Sequence, residues 1–79
     1  MSLGDLLFLA YSTDFEEADL RDANLTNALL MESSFKDSLI SGADFTDAII
    51  NRIQLKKLCE RADGINSSSG IETSYSLGC

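Results

Sequence analysis

Seventy-nine residues with 13 acids, 6 bases and no histidine give a net charge of −7, which argues against nucleic acid or an anionic membrane as a partner. Hydrophobic residues make up 44% of the chain, too many and too evenly spaced for a disordered segment. The longest apolar run, Leu6 to Tyr11, falls far short of the ~20 residues that would cross a bilayer.

The first eleven residues show neither a basic n-region nor an Arg-rich start, so no signal or transit peptide is visible. The chain reads as cytosolic, or as a processed form or fragment. Ser2 with Asp5 fits a capping box ahead of Leu6-Leu7-Phe8. Residues 1–11 are expected to form an N-terminal cap segment, a short helix or an irregular strand.

From residue 12 a period of five takes over. One column reads Phe15, Leu20, Leu25, Leu30, Phe35, Ile40, Phe45, Ile50, all large and apolar. The column two residues earlier reads Thr13, Ala18, Ala23, Ala28, Ser33, Ser38, Ala43, Ala48, all small. Five fits neither an α-helix nor a plain strand. Two residues apart, a small and a large side chain share one face of an extended segment. The chain must therefore turn before the next five. Four turns close a square coil of twenty residues, the large side chains fill its interior, and residues 12–51 make two coils. Residues twenty apart then stack: Phe15 on Phe35, Leu20 on Ile40, Leu25 on Phe45, Leu30 on Ile50. Outside, Glu16 is expected near Lys36, Thr26 on Thr46, and Glu17 near Asp37.

Ala18-Asp19-Leu20-Arg21-Asp22, Ala23-Asn24-Leu25-Thr26-Asn27 and Ala43-Asp44-Phe45-Thr46-Asp47 resemble the A(D/N)LXX signature of pentapeptide-repeat proteins. The resemblance implies an all-β solenoid, a right-handed quadrilateral β-helix of about two coils. It says almost nothing of function, because unrelated activities share the fold.

Leu29, Leu39 and Ile49 stand at outward positions where Asp or Asn would be usual. They are a candidate partner patch, unless a cap covers them. The acids of this region follow the five-residue frame, so Asp19 and Asp22, or Asp44 and Asp47, read as a solvated face.

Two open coils would expose apolar interior and unpaired strand groups, so caps are expected. Residues 52–79 read as a C-terminal helical cap. Leu55, Leu58, Cys59 and Ala62 form a helical stripe over 52–62, with Lys56, Lys57 and Arg61 off it. Asp63-Gly64 is a stop signal, and Asn66 to Gly70 a polar loop. Ser69 with Glu72 fits a capping box for a second short helix over 71–77. Asn24-Leu25-Thr26 and Asn66-Ser67-Ser68 match the glycosylation pattern, which reads as chance.

Cys59 lies on the stripe and Cys79 is the last residue. They are either one buried and one free thiol, or a disulfide clamping the tail onto the helix. A closed loop of about twenty residues would stabilise by ~3 kcal/mol in the chain-entropy account and would require an oxidising compartment. The run from Leu58-Cys59-Glu60-Arg61-Ala62 to Ser76-Leu77-Gly78-Cys79 resembles the C-terminal segment of plant thylakoid-lumen and cyanobacterial pentapeptide-repeat proteins. That resemblance implies the Cys59–Cys79 pairing and a place in the thylakoid lumen of the chloroplast, with the targeting segment removed; the alternative place is the cytoplasm.

No chemistry of an enzyme stands out. Without histidine there is no Ser-His-Asp or Cys-His constellation. There is no Gly-rich phosphate loop and no EF-hand pattern, and two cysteines alone supply too few zinc ligands. No catalytic residue, cofactor or metal is expected. The function expected is a non-catalytic protein-binding or scaffold module, with the partner's identity and the oligomeric state left open. The alternative is an acidic DNA mimic acting on a type II topoisomerase. Its weakness is length, since two coils rise only roughly 10 Å, about three base pairs. A thiol–disulfide switch at Cys59 and Cys79 is a third reading.

Overall fold

A computed structural model describes residues 14–79. The N-terminal cap expected over 1–11, and Thr13 of the small column, lie outside them. Within them the period of five is a period of β-turns. The backbone N–H of each small residue donates to the carbonyl of the large residue three positions before it. These bonds run from Ala18 to Phe15 at 3.1 Å, Ala28 to Leu25 at 3.2 Å, Ser38 to Phe35 at 3.1 Å and Ala48 to Phe45 at 2.9 Å, with Ala23, Ser33 and Ala43 doing the same. In six of these seven turns the third residue has a positive φ: Glu17 at 58°, Asp22 and Asn27 at 61°, Asp37 and Asp47 at 58°, and Gly42 at 77°. That is the left-handed geometry of a type II turn. Asn and Asp tolerate it better than other side chains, and Gly adopts it at no steric cost.

Between turns the chain is extended for only two or three residues, enough for one rung of a ladder. The rungs join residues twenty apart, in parallel: Asp14 with Ser34, Asp19 with Leu39, Asn24 with Asp44. The fourth face carries two short strands, β1 (Leu29–Leu30) and β2 (Ile49–Ile50), paired Leu29 to Ile49 and Leu30 to Ile50. Cross-coil bonds follow the same offset, from Phe15 N–H to Ser34 O at 2.8 Å, Leu20 N–H to Leu39 O at 2.8 Å and Leu25 N–H to Asp44 O at 2.9 Å. Four ladders around a twenty-residue repeat make a β-helix-like solenoid, and its rungs are too short to count as long strands.

The apolar column lies inside. Phe15, Leu20, Leu25, Leu30, Phe35, Ile40 and Phe45 are buried, and Ile50, at the end of the second coil, is half-buried. The Phe15 and Phe35 rings stack at 5.2 Å with 9° between planes, and Phe45 meets Phe35 edge-on at 6.1 Å, both favourable aromatic geometries. Of the small column, Ala23, Ala28, Ala43, Ser33 and Ser38 are buried. The Ser38 hydroxyl donates to Phe35 O at 2.7 Å, which offsets the cost of burying it.

Beyond the second coil comes α1 (Arg52–Arg61). Asn51 starts it: its Oδ1 accepts from Gln54 N–H at 2.8 Å, and its Nδ2 donates to Met31 O at 2.7 Å. This cap also ties the helix to the coil beneath. Leu58 is buried against the core, with Leu55, Cys59 and Ala62 packed partly buried beside it. The second helix is shorter than the expected 71–77. It is α2 (Thr73–Leu77), its N-cap Glu72 makes no side-chain cap bond, and Gly78 closes it at φ 78°. The Ser69–Glu72 capping box does not form. Glu72 is extended and paired antiparallel with Ile65, while Ser69 Oγ accepts the Ile71 N–H at 3.2 Å, so 71–72 are held out of the helix.

Candidate functional site

The outward residue just before each large one governs the solenoid surface. Where it is Asp or Asn, its side chain bends back onto the turn. Asp14, Asp19, Asn24 and Asp44 each accept, through Oδ1, the backbone N–H two residues on, at 2.8, 3.1, 3.1 and 2.9 Å. These are Asx turns. Asp19 also takes both ends of the Arg21 guanidinium, at 2.9 and 2.8 Å, and this neighbour holds its carboxyl well below the usual range. Glu16 and Lys36, expected near each other, form no ion pair; the ion pair formed in this part of the wall is Asp19–Arg21, whose partners share one tight turn. Of the acids expected to form a solvated face, Asp22 and Asp47 are exposed, Asp19 is half-buried and Asp44 departs from the expectation. Asp44 is only 3% exposed. Burial pushes its carboxyl up, but hydrogen bonds from Thr46 and Ser69 outweigh this and leave it lowered. Asp22 receives both the N–H and the hydroxyl of Ser67, which lower its carboxyl too.

Leu29, Leu39 and Ile49 occupy the same outward position without an oxygen to bend back. Leu29 is half-buried, while Ile49 is 47% and Leu39 50% exposed. The structure brings Leu29 and Ile49 together on one ladder but sets Leu39 beside Asp19 on another. Met31 and Ile53, which lie close to these two strands in the chain, are exposed as well. Met31 follows β1 and is tied to Asn51, and Ile53 lies in the first turn of α1. Sequence reasoning missed these two, because they belong to the corner and the cap rather than to the outward column.

The cap takes over two of the backbone bonds that a further coil would make. Gly42 N–H donates to Asp63 O at 3.0 Å, and Phe45 N–H to Ser76 Oγ at 2.9 Å. Arg61, expected off the helical stripe, reaches the second coil and donates to Phe35 O at 2.7 Å, to Ser38 Oγ at 3.0 Å and to Ser38 O. Asn66, read as a loop residue, is buried. Its Nδ2 donates to Gly42 O at 3.0 Å and, more weakly, to Asp22 O and Ala23 O at 3.4 Å, while its Oδ1 accepts from Ser68 and Ser69. Cys59 and Cys79 are joined in a disulfide with Cα atoms 5.7 Å apart, fastening the end of the chain to α1.

Among the described residues no cluster of three or more His, Cys, Asp or Glu is placed to hold a metal ion, and no helix is long and apolar enough to cross a membrane.

A family profile described as pentapeptide repeats matches residues 12–47 in eight copies, the segment whose turns and ladders have just been set out. Residues 12–47 are pentapeptide repeats. Among curated proteins, the chain is 50% identical over 40 residues to thylakoid lumenal protein TL20.3 of Arabidopsis thaliana, covering 51% of the chain and 14% of that protein. It is 47% identical over 47 residues to the thylakoid lumenal 15 kDa protein 1 of the same plant, covering 60% of the chain and 21% of that protein. The chain thus spans about a fifth or less of these relatives' length. A solved pentapeptide repeat protein from the Arabidopsis thaliana thylakoid lumen superposes with a TM-score of 0.61 at 38% identity, over 99% of the chain and 57% of its own. These relatives are lumenal proteins of the chloroplast thylakoid, the compartment that the cysteine-bearing tail points to.

Proposed function

We propose that this pentapeptide-repeat chain is a non-catalytic protein-binding or scaffold module of the thylakoid lumen. In this reading residues 12–51 wind as a right-handed, square-sectioned β-helix between an N-terminal cap segment and the helical cap of 52–79. The carrying observation is the Leu29–Ile49 pair on one ladder, with Met31 and Ile53, close to it in the chain, also exposed. At Leu29 and Ile49 the wall gives up the local bond that Asp or Asn makes at equivalent positions, worth about 0.5–1.5 kcal/mol, and shows carbon to solvent instead. A rigid apolar patch on an acidic surface suits protein contact. The disulfide accords with an oxidising compartment. Crosslinking of the 79-residue chain in lumenal extract tests this, with Ile49→Asp/Ile53→Asp as comparison. A defined adduct that the double variant loses supports the reading; an adduct retained by the variant, or turnover of a small molecule by the purified chain, contradicts it.

The alternative of a DNA mimic draws on the acidic charge. Its difficulty is that Asp14, Asp19, Asp22 and Asp44 are turned onto hydrogen-bond donors of this chain rather than presented in a row as phosphates would be. A gyrase supercoiling assay without inhibition at micromolar chain would dispose of it.

A further inference from the structure

We propose that the corner of the second coil at Asp47 and Ala48 receives a bent, basic peptide segment of a partner protein as one further rung of the ladder. The direction of the backbone groups carries this. In the first coil Asn27 N–H donates to Thr46 O at 2.9 Å, and Ala28 O accepts from Ile49 N–H at 2.8 Å. Twenty residues on, Asp47 N–H and Ala48 O occupy the same places in the repeat, so they point out of the second coil, toward the cap.

The cap answers other groups on this rim. Asp63 O takes Gly42 N–H, Ser76 Oγ takes Phe45 N–H, and Arg61 donates to Ser38 O. Among the described residues nothing bonds Asp47 N–H or Ala48 O. Asp37 N–H is likewise unanswered among them, but the carbonyl beside it, Ser38 O, is already taken. At 47–48 a donor and an acceptor stand side by side, on an exposed and a half-buried residue. A groove of about 620 Å³ opens at this place, between Thr46, Asp47 and Ala48 of the coil and Ile71, Tyr75 and Ser76 of the cap. The coil-on-coil ladder can therefore continue outward here by one rung.

These groups specify the occupant. It must bring a carbonyl to Asp47 N–H and, three residues later, an N–H to Ala48 O, as Thr46 and Ile49 do for the coil below. That is strand addition carried round a corner, so the segment turns as it crosses. Pro-Gly at the centre of a type II turn supplies the bend in advance, which lowers the ordering cost of binding. Charge selects a basic segment. Asp47 is the one charged side chain along the groove, it forms no ion pair among the described residues, and the chain carries −7 overall. Tyr75, 80% exposed, offers its ring to a lysine ammonium or stem. No residue is shared with the Leu29–Ile49 pair, so the two surfaces stand or fall separately.

The test is an NMR titration of the ¹⁵N-labelled chain, disulfide intact, with the peptide acetyl-Lys-Ser-Pro-Gly-Ala-Lys-amide. Saturable amide shifts centred on Asp47, Ala48 and Tyr75 are expected. The same peptide N-methylated at its last lysine lacks the N–H meant for Ala48 O and should bind about threefold more weakly or worse. Asp47→Asn should also weaken binding, and it keeps a residue that accepts the left-handed turn, so the fold should survive. Shifts that fail to saturate would overturn the site. Equal affinity for the methylated peptide would overturn the backbone pairing, and equal affinity in Asp47→Asn the basic partner. Shifts at the same amides that grow with chain concentration alone would give the corner to a second copy and overturn the partner segment.

Discussion

The Ser76 hydroxyl accepts the backbone N–H of Phe45 at 2.9 Å, in the place where the next coil of a longer solenoid would offer a carbonyl. One coil lower, Leu25 N–H finds such a carbonyl at Asp44, also at 2.9 Å. Ser76→Ala removes the acceptor and leaves a donor beside the core unsatisfied. It should destabilise the chain by about 1–3 kcal/mol, read from the midpoint of urea unfolding with the disulfide intact. An unchanged midpoint would mean that the helical cap is not what closes this ladder.

The Cys59–Cys79 bond closes a loop with a sequence separation of 20. Reduction, or Cys59→Ser/Cys79→Ser, should cost about 3 kcal/mol on the chain-entropy account. Paired urea curves with and without reductant check this, and an intact mass 2 Da higher after reduction confirms that the bond was present. In a domain this small, the loss is a large share of the total stability.

The corners make a prediction of opposite sign at two neighbouring faces. Glu17 is held at φ 58°, a conformation that costs a non-glycine residue of this type about 1 kcal/mol. Glu17→Gly should therefore raise stability by about 0.5–1 kcal/mol. Gly42 sits at φ +77°, and an added Cβ would lie 3.2 Å from the Ile65 carbonyl oxygen. Gly42→Ala should lower stability by about 1–2 kcal/mol. Both are read from thermal or urea midpoints, and equal effects at the two corners would contradict the turn geometry.

These corners also show where sequence stops being legible. The large and small columns could be read because burial imposes one residue class on every repeat. The fifth column, Glu17, Asp22, Asn27, Glu32, Asp37, Gly42, Asp47, carries a signal of its own, since Asp, Asn and Gly are the residues that accept a left-handed turn. It looked like solvated charge because Asp serves both purposes. Asp44 was misread for the same reason: its carboxylate is buried but satisfied by its own turn. Asn66, Ser76 and Arg61 were not visible as bonding groups at all. Each answers a donor or carbonyl left open by a coil more than twenty residues away, and no local pattern encodes that match.

Acid should loosen the cap. Asp22 and Asp44 both lie below the ordinary carboxylate value of 3.8 in the fold, Asp22 through its bonds from Ser67 and Asp44 through those from Thr46 and Ser69, which prevail over burial. A carboxyl depressed by folding contributes stability above its unfolded value, and this is lost as the pH falls through its folded value. Urea midpoints should be flat between about pH 7 and 5 and fall below about pH 4, less steeply in Asp22→Asn/Asp44→Asn. A double variant with an unchanged acid limb would remove these two carboxyls from the account.

The whole account rests on pairing between residues twenty apart, and NOE spectra of the ¹⁵N,¹³C-labelled chain test it most directly. Interstrand contacts are predicted on all four ladders, from 14 to 34, 19 to 39, 24 to 44 and 29 to 49, with slowly exchanging amides at Leu25 and Ile49. Medium-range contacts three and four residues apart running through 14–50, without the twenty-residue set, would contradict it.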